Sequence, residues 1–184
     1  MIRPPSPFEP AVTNLPAGQR LYRVLSSTRT ATEFNPGVGA PTRFAFFGDP
    51  VVPVMYAAER EDAANAETLL HDIPADGGVL PYDQYAGKAL VRLEVTRALM
   101  LKVTADDRDT VAWAQAAHHA GLHGLVWMSR MGNDAKAYVF FGDRCTEAFA
   151  QDPGHARIFA SPADQMWLID LCAPLHVDVL LEPR

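Results

Sequence analysis

The stretch Leu122-His123-Gly124-Leu125-Val126-Trp127-Met128, with Ala137-Tyr138-Val139-Phe140-Phe141 after it, decides the fold. Both segments are short apolar runs rich in β-branched and aromatic residues, which is typical of buried strands. Gly132-Asn133-Asp134 lies between them and predicts the turn that joins them. The chain therefore builds a sheet, and the surrounding segments decide its class.

Both strands and helices are predicted around this pair, without the strict alternation of a doubly wound sheet. Gly121 is expected to end the second helix, and Pro162 suits the first position of the third. We therefore expect an α+β fold with a mixed, largely antiparallel sheet flanked by helices. The further strands are predicted at Gln19–Leu25, Val54–Ala57, Ala89–Val95, Ala98–Val103 and His176–Leu181, and the helices at Arg60–Asp72, Thr104–Ala120 and Ser161 to about Ala173.

The composition fits one domain. The chain has 184 residues, of which 48% are hydrophobic and 21% charged, so it can bury a substantial core. Its start is rich in proline and lacks a long apolar run, so we expect an extended arm over residues 1–18 and a single domain over 19–184, with no signal peptide or membrane span. Two cysteines, Cys145 and Cys172, without a CxxC motif fit a reducing compartment. The predicted location is the cytoplasm.

The charge argues against general nucleic-acid binding. The formal net charge is −6, whereas non-specific affinity for phosphate chains requires a basic surface. Positive charge is nevertheless concentrated near the start, where residues 1–43 carry arginines in excess of glutamates. Capacity for a small anion is therefore expected in this region.

Arg23 is the first candidate site residue. The period of two in the strand places it on the same face as Leu21 and Leu25. A guanidinium on an apolar face needs an anionic partner. A structural carboxylate or a bound phosphate would both serve, and position alone does not decide between them.

Glu67 is the second candidate. On its helix Ala63, Ala66 and Leu70 form the apolar stripe, and Glu67 lies at the edge of that stripe beside small alanines that leave space. It is either a helix-edge glutamate that reaches solvent or an arginine, or a buried carboxylate that accepts hydrogen bonds from a ligand's hydroxyls and stabilises developing positive charge.

Ser129 is the third candidate, because it follows a buried strand at the point where polar side chains often face a site. The alternative is a serine that only caps or turns the chain. No GxSxG elbow surrounds it, which weakens a hydrolase-triad interpretation.

Other familiar motifs are missing from the sequence. It contains neither GxxxxGK[ST] nor GxGxxG, so a P-loop or the usual dinucleotide fold is not expected. His119 and His123 have helical metal-ligand spacing, but HExxH is absent and Gly121 between them should end the helix. We predict no metal and no prosthetic group.

Three stretches together resemble the RES domain, a family named for an arginine, a glutamate and a serine in that order. Their order and spacing from about residue 20 to residue 144 are more specific than any single piece. The stretches are Leu21-Tyr22-Arg23-Val24, then Phe34-Asn35-Pro36 through Arg43-Phe44 and Val54-Met55-Tyr56-Ala57-Ala58 to Ala66-Glu67-Thr68, and finally Gly124-Leu125-Val126-Trp127-Met128-Ser129-Arg130 with Phe140-Phe141-Gly142-Asp143-Arg144.

The resemblance implies a fold similar to that of ADP-ribosyltransferase toxins and an enzyme that takes NAD as its substrate. Such enzymes cleave the nicotinamide–ribose bond by hydrolysis or phosphorolysis, and some transfer ADP-ribose to a protein. By the motif match Arg23, Glu67 and Ser129 are the expected catalytic residues, with Arg43 and Tyr56 completing the NAD pocket.

The resemblance further implies a toxin held by a cognate Xre-like antitoxin. The DNA-binding domain of that partner, not this chain, would contact DNA, and the partner would block the active-site cleft. Two alternatives to NAD degradation stay open: an ADP-ribosyltransferase that acts on a specific protein target, and a non-catalytic interaction domain that keeps the fold.

Overall fold

A computed structural model describes residues 3–74, 76–104, 110–129 and 134–182. The helices are α1 Glu61–Thr68, α2 Tyr82–Tyr85, α3 Thr110–His119, α4 Gly142–Cys145 and α5 Pro162–Cys172, followed by a short 3-10 helix Ala173–Leu175. The strands are β1 Val12–Leu15, β2 Arg20–Ser26, β3 Val54–Ala58, β4 Gly78–Leu80, β5 Lys88–Val95, β6 Leu99–Val103, β7 Gly124–Met128, β8 Lys136–Phe141, β9 Phe149–Ile158 and β10 Val177–Val179.

Eight of these strands form one sheet in the order β1-β6-β7-β8-β3-β2-β5-β9, and β4 pairs with β10 in a separate parallel ribbon. Within the large sheet β6 and β7 run parallel, and the other neighbours run antiparallel. The predicted α+β fold with a mixed, largely antiparallel sheet is confirmed.

The two predicted strands Leu122–Met128 and Ala137–Phe141 lie inside this sheet. β7 and β8 are antiparallel in a register that runs from Gly124 opposite Phe140 to Met128 opposite Lys136. A Cβ atom at Gly124 would lie 2.0 Å from the Val139 carbonyl oxygen, so the close approach of the two strands requires glycine there. Of the predicted turn, Gly132 and Asn133 lie outside the described residues.

The sheet opens between β2 and β3. β2 pairs with β5 along its whole length, from Arg20 to Ser26. In contrast, the described pairing of β2 with β3 consists of Tyr22 opposite Ala58. The sheet therefore consists of two halves, β1-β6-β7-β8-β3 and β2-β5-β9, which diverge from that contact.

The two faces of the sheet are packed differently. One face, called the inner face, buries a hydrophobic cluster that includes Leu21, Leu93 and Phe140. The outer face is covered by helices: α1 and α5 pack over the β2 half, and α3 over β7 and β8. A ligand site can therefore form on the outer face, at places that no helix or loop covers.

Most predicted elements are confirmed with small changes of length. Ser161 caps α5 by accepting a hydrogen bond from the Asp164 N–H at 3.2 Å, and Gly121 follows α3 with φ +84°. α1 was predicted to reach Asp72 and ends at Thr68, because the next two N–H groups both bond to the Asn65 carbonyl and turn the chain. The predicted helix start at 105–109 lies outside the described residues.

Three strands were not predicted, and the short β4 is one of them. β1 lies within the expected N-terminal arm and pairs with β6, so part of this arm is an edge strand of the sheet. β9 is ten residues long and forms the other edge. Among the described residues, no helix combines the length and apolar character needed to cross a bilayer.

Candidate active site

Glu67 and Ser129 are hydrogen-bonded to each other. Ser129 follows β7 and is fully buried, and its N–H bonds to the Ala135 carbonyl at 2.9 Å, which continues the pairing with β8. Its Oγ donates to Glu67 Oε1 at 2.8 Å. Two residues 62 positions apart thus form one polar unit on the outer face, between the end of β7 and the last turn of α1.

The carboxylate keeps accepting capacity. Glu67 is half-buried near the end of α1, and in the described part of the chain its second oxygen, Oε2, accepts no hydrogen bond. On the same helix Ala63 and Ala66 line a cavity of about 320 Å³ together with Asp170 and Leu171 of α5, and Glu67 is not among its lining residues. A cavity of this size lies at the lower end of the range for small-molecule sites.

Tyr56 lies on β3, and its ring contacts the edge of the Trp127 ring with centroids 6.3 Å apart. Its hydroxyl is 2.9 Å from Thr42 Oγ1 and accepts from the Phe44 N–H at 3.1 Å. Burial raises the pKa of Tyr56, the Glu67 charge adds to that rise, and the two hydrogen bonds and the Arg43 charge oppose it. The charges of Glu67 and Arg43 therefore both influence the Tyr56 hydroxyl.

Arg43 occupies the tip of a tight turn. Thr42 and Ala45 exchange backbone hydrogen bonds of 3.0 and 3.2 Å, which leaves Arg43 and Phe44 as the two central residues. The Arg43 guanidinium lies over the Phe44 ring at 5.1 Å and the Trp127 ring at 5.7 Å. Such stacking holds a planar cation against the two rings.

Arg23 is placed apart from these four residues. It lies on the inner face with Leu21 and Leu25, directly after the contact where β2 and β3 diverge. Its Nη1 donates to the Ala31 carbonyl at 2.6 Å, and in the described chain it forms no ion pair with a carboxylate. Burial lowers its pKa to about 10, a shift that the Glu33 charge opposes and the Arg29 charge adds to.

The structure thus brings Glu67, Ser129, Tyr56 and Arg43 to one region of the outer face and leaves Arg23 on the other side of the opening. Sequence reasoning missed Trp127 as part of this region, because a large apolar residue in a buried strand is typical of the core. Its place two residues before Ser129, on the same face of β7, was the available signal. Among the described residues no cluster of His, Cys, Asp and Glu could hold a metal ion.

Comparison with known proteins agrees with the fold. The family model for the RES domain matches residues 20–160. A chain of a solved structure, described as the crystal structure of the M. tuberculosis MbcT–MbcA toxin–antitoxin complex, is similar with a TM-score of 0.58 and 14% identity, over 83% of this chain and 90% of that chain. No curated protein sequence matches the chain.

The matched segment contains every strand and helix on which the candidate residues lie, from β2 with Arg23 to β7 with Ser129. It covers most of the chain and the complete order of arginine, glutamate and serine that names the family. The protein belongs to the RES-domain family.

Proposed function

We propose that this protein is an NAD-cleaving enzyme that breaks the bond between nicotinamide and ribose. The observation that carries the proposal is the 2.8 Å hydrogen bond between Ser129 Oγ and Glu67 Oε1, because it holds a half-buried carboxylate in a defined orientation and leaves its second oxygen able to accept. A preorganised anion of this kind stabilises a reaction in which positive charge develops on a sugar.

In the proposed reaction the C1′–N bond breaks, and its electron pair moves to the pyridinium nitrogen. Nicotinamide leaves neutral, and the ribose carbon becomes electrophilic with oxocarbenium character. Glu67 Oε2 accepts the ribose hydroxyls, while the carboxylate charge stabilises the developing cation. Ser129 fixes the Glu67 side chain through Oε1 and reduces the reorganisation needed in the transition state.

Two arginines support binding of the pyrophosphate. Arg43 presents its guanidinium at the tip of the turn, above the floor that Trp127 and Phe44 form. Arg23 supplies a buried cation at the opening between β2 and β3. Each charge-assisted hydrogen bond to a phosphate oxygen contributes about 1.5–3 kcal/mol. The Tyr56 ring borders the nicotinamide.

Capture of the sugar carbon completes the reaction. Water adds to C1′ and releases one proton to the solvent, which yields ADP-ribose. Inorganic phosphate in its place yields a phosphorylated ADP-ribose, and a protein side chain yields an ADP-ribosylated target. Identification of the product distinguishes these three acceptors.

We further propose that the protein is a cytoplasmic toxin that depletes NAD and is held inactive by an antitoxin. Support comes from its membership of the RES-domain family and from its structural similarity to a chain of the MbcT–MbcA complex, a toxin–antitoxin complex. The proposed partner is a DNA-binding protein of the Xre type that covers the Glu67 site.

The experiment compares nicotinamide release from NAD by the wild type and by Glu67→Gln, with and without inorganic phosphate. We expect the variant to lose about 10²–10³-fold in rate, the loss typical of removing one preorganised electrostatic group. Glu94→Gln, on the exposed side of β5, is the matched control and should keep full activity. Equal rates for wild type and Glu67→Gln, or no release and no labelling of added proteins by wild type, would overturn the proposal.

A further inference from the structure

The turn that carries Arg43 is held from two directions. On one side, the Tyr56 hydroxyl bonds to Thr42 and Phe44, the residues immediately before and after Arg43. On the other side, the hydroxyl of Thr110, the first residue of α3, donates to the Arg43 carbonyl. The backbone around one arginine is therefore tied both to β3 and to α3.

The hydrogen bond from Phe44 completes the pairing of the turn. Within the turn, the N–H groups of Thr42 and Ala45 already bond to each other's carbonyls. The Phe44 N–H lies at the tip, where a tight turn offers it no backbone acceptor, and the Tyr56 oxygen supplies one. The side chain of Phe44 is fully buried, so an unsatisfied N–H at this position would be costly.

We propose that the Tyr56 hydroxyl is a positioning group which, together with Thr110, fixes the turn Thr42–Ala45 so that Arg43 stays over Trp127 at the active site. The effect of the hydroxyl on substrate binding rests on the proposed function, in which Arg43 binds the substrate pyrophosphate. The effect of the hydroxyl on the turn is independent of that function. The phenol therefore has two separable parts: a ring that borders the site and a hydroxyl that acts through the turn.

The first test measures the turn without any substrate. Trypsin cleaves after arginine, and cleavage between Arg43 and Phe44 requires the turn to leave its place. In Tyr56→Phe, which keeps the ring and removes the hydroxyl, we expect cleavage at this bond to become about tenfold faster, as the loss of two hydrogen bonds implies. Mass spectrometry of the fragments assigns the bond.

Tyr85→Phe is the matched control for proteolysis. It also removes a buried tyrosine hydroxyl, one that donates to the Leu180 carbonyl at 2.8 Å away from this turn. Cleavage after Arg43 should match wild type in this variant. If Tyr56→Phe is also cleaved at the wild-type rate, the hydroxyl does not hold the turn and the proposal is overturned, whatever the enzyme does with NAD.

The second test is a double-mutant cycle on NAD cleavage. Tyr56→Phe alone should raise KM about fivefold and change kcat less than about twofold, because it weakens binding through Arg43. In the Arg43→Ala background the same substitution should leave KM unchanged within about 1.5-fold. An equal effect in both backgrounds would mean that the hydroxyl contacts the substrate directly and would overturn positioning. If wild type cleaves no NAD, the proposed function fails, and the proteolysis result still decides the role of the hydroxyl.

Discussion

Buried polar side chains have different hydrogen-bond partners on the two faces of the sheet. On the outer face Ser129 and Glu67 bond to each other, so the carboxylate is held before any ligand arrives. On the inner face Arg23 is buried beside the hydrophobic cluster and, in the described structure, donates to the Ala31 carbonyl. The outer face holds a completed pair, whereas among the described residues the inner face holds a cation that the Glu33 charge influences without forming an ion pair with it.

This difference separates two roles. A carboxylate fixed by a serine is suited to chemistry, because its orientation is determined in advance. A buried guanidinium without a carboxylate is suited to binding an anion, because a phosphate would repay the cost of its burial. Substitutions on each face test this assignment of roles.

Among the variants that compare the two faces, the largest effect is expected for Arg23→Met, which keeps the length of the stem and removes the charge. We predict a loss of about 100-fold in kcat/KM for NAD, as expected when two charge-assisted hydrogen bonds to phosphate are lost. The melting temperature should stay the same or rise, because the desolvation cost of the cation disappears. Nicotinamide release and thermal denaturation measure the two quantities.

Arg92→Met provides the contrast. Arg92 is opposite Tyr22 in the neighbouring strand β5, points to the outer face and pairs with Asp152 at 2.7 Å. Removing it should lower stability slightly and leave NAD cleavage unchanged. If Arg23→Met instead lowers the melting temperature and spares kcat/KM, Arg23 has a structural role and the comparison of the two faces is wrong.

A smaller effect is expected for Ser129→Ala. Without the Oγ donor the Glu67 carboxylate loses its fixed orientation, and we predict that kcat for nicotinamide release falls about tenfold, the value of one hydrogen bond to a charged group. Steady-state kinetics with NAD measure it.

Ser161→Ala is the control for this serine, because Ser161 caps α5 away from the site. It should lower the free energy of unfolding by about 1 kcal/mol and leave kcat intact. Wild-type kcat in Ser129→Ala would show that the Glu67 orientation does not depend on the hydrogen bond.

The smallest effect concerns the two thiols, one on each face. Burial raises the pKa of Cys145, in the inner cluster, to about 12 and that of Cys172, in the outer cluster, to about 11. In single-thiol variants we predict that both thiols react with a disulfide reagent at pH 8 at least about tenfold more slowly than in the denatured chain, because burial raises their pKa and blocks access. Absorbance of the released thiolate measures the rates.

The same shifts predict a direction for stability. A raised pKa means that the folded state holds the thiol proton more tightly than the unfolded chain, whose thiol pKa is about 8.5. The stabilising contribution is therefore complete below that pH and is lost as the pH rises towards 11–12. Reaction of Cys145 in the folded protein at the rate of the denatured chain would contradict the view that the inner face is closed.

Local patterns were sufficient for the centre of the sheet and for most helices. β7 and β8 were recognisable as continuous apolar runs, and α5 by its Ser161-Pro162 start. β9 was missed because Asp152-Pro153-Gly154 within it is typical of a turn. An edge strand tolerates such residues, and its pairing with β5 shifts register between Val91 and Leu93.

Fold class, family and candidate residues could be read from the sequence. Strand period and helix caps are local features, and the order of Arg23, Glu67 and Ser129 is visible along the chain. The tertiary structure decided which of them meet. The contact between Glu67 and Ser129, the Tyr56 hydroxyl beneath the turn of Arg43, and the place of Arg23 on the opposite face all depend on residues distant in the chain. Such contacts follow from how a sheet curls and where a helix packs on it, and the period of a segment carries no information about either.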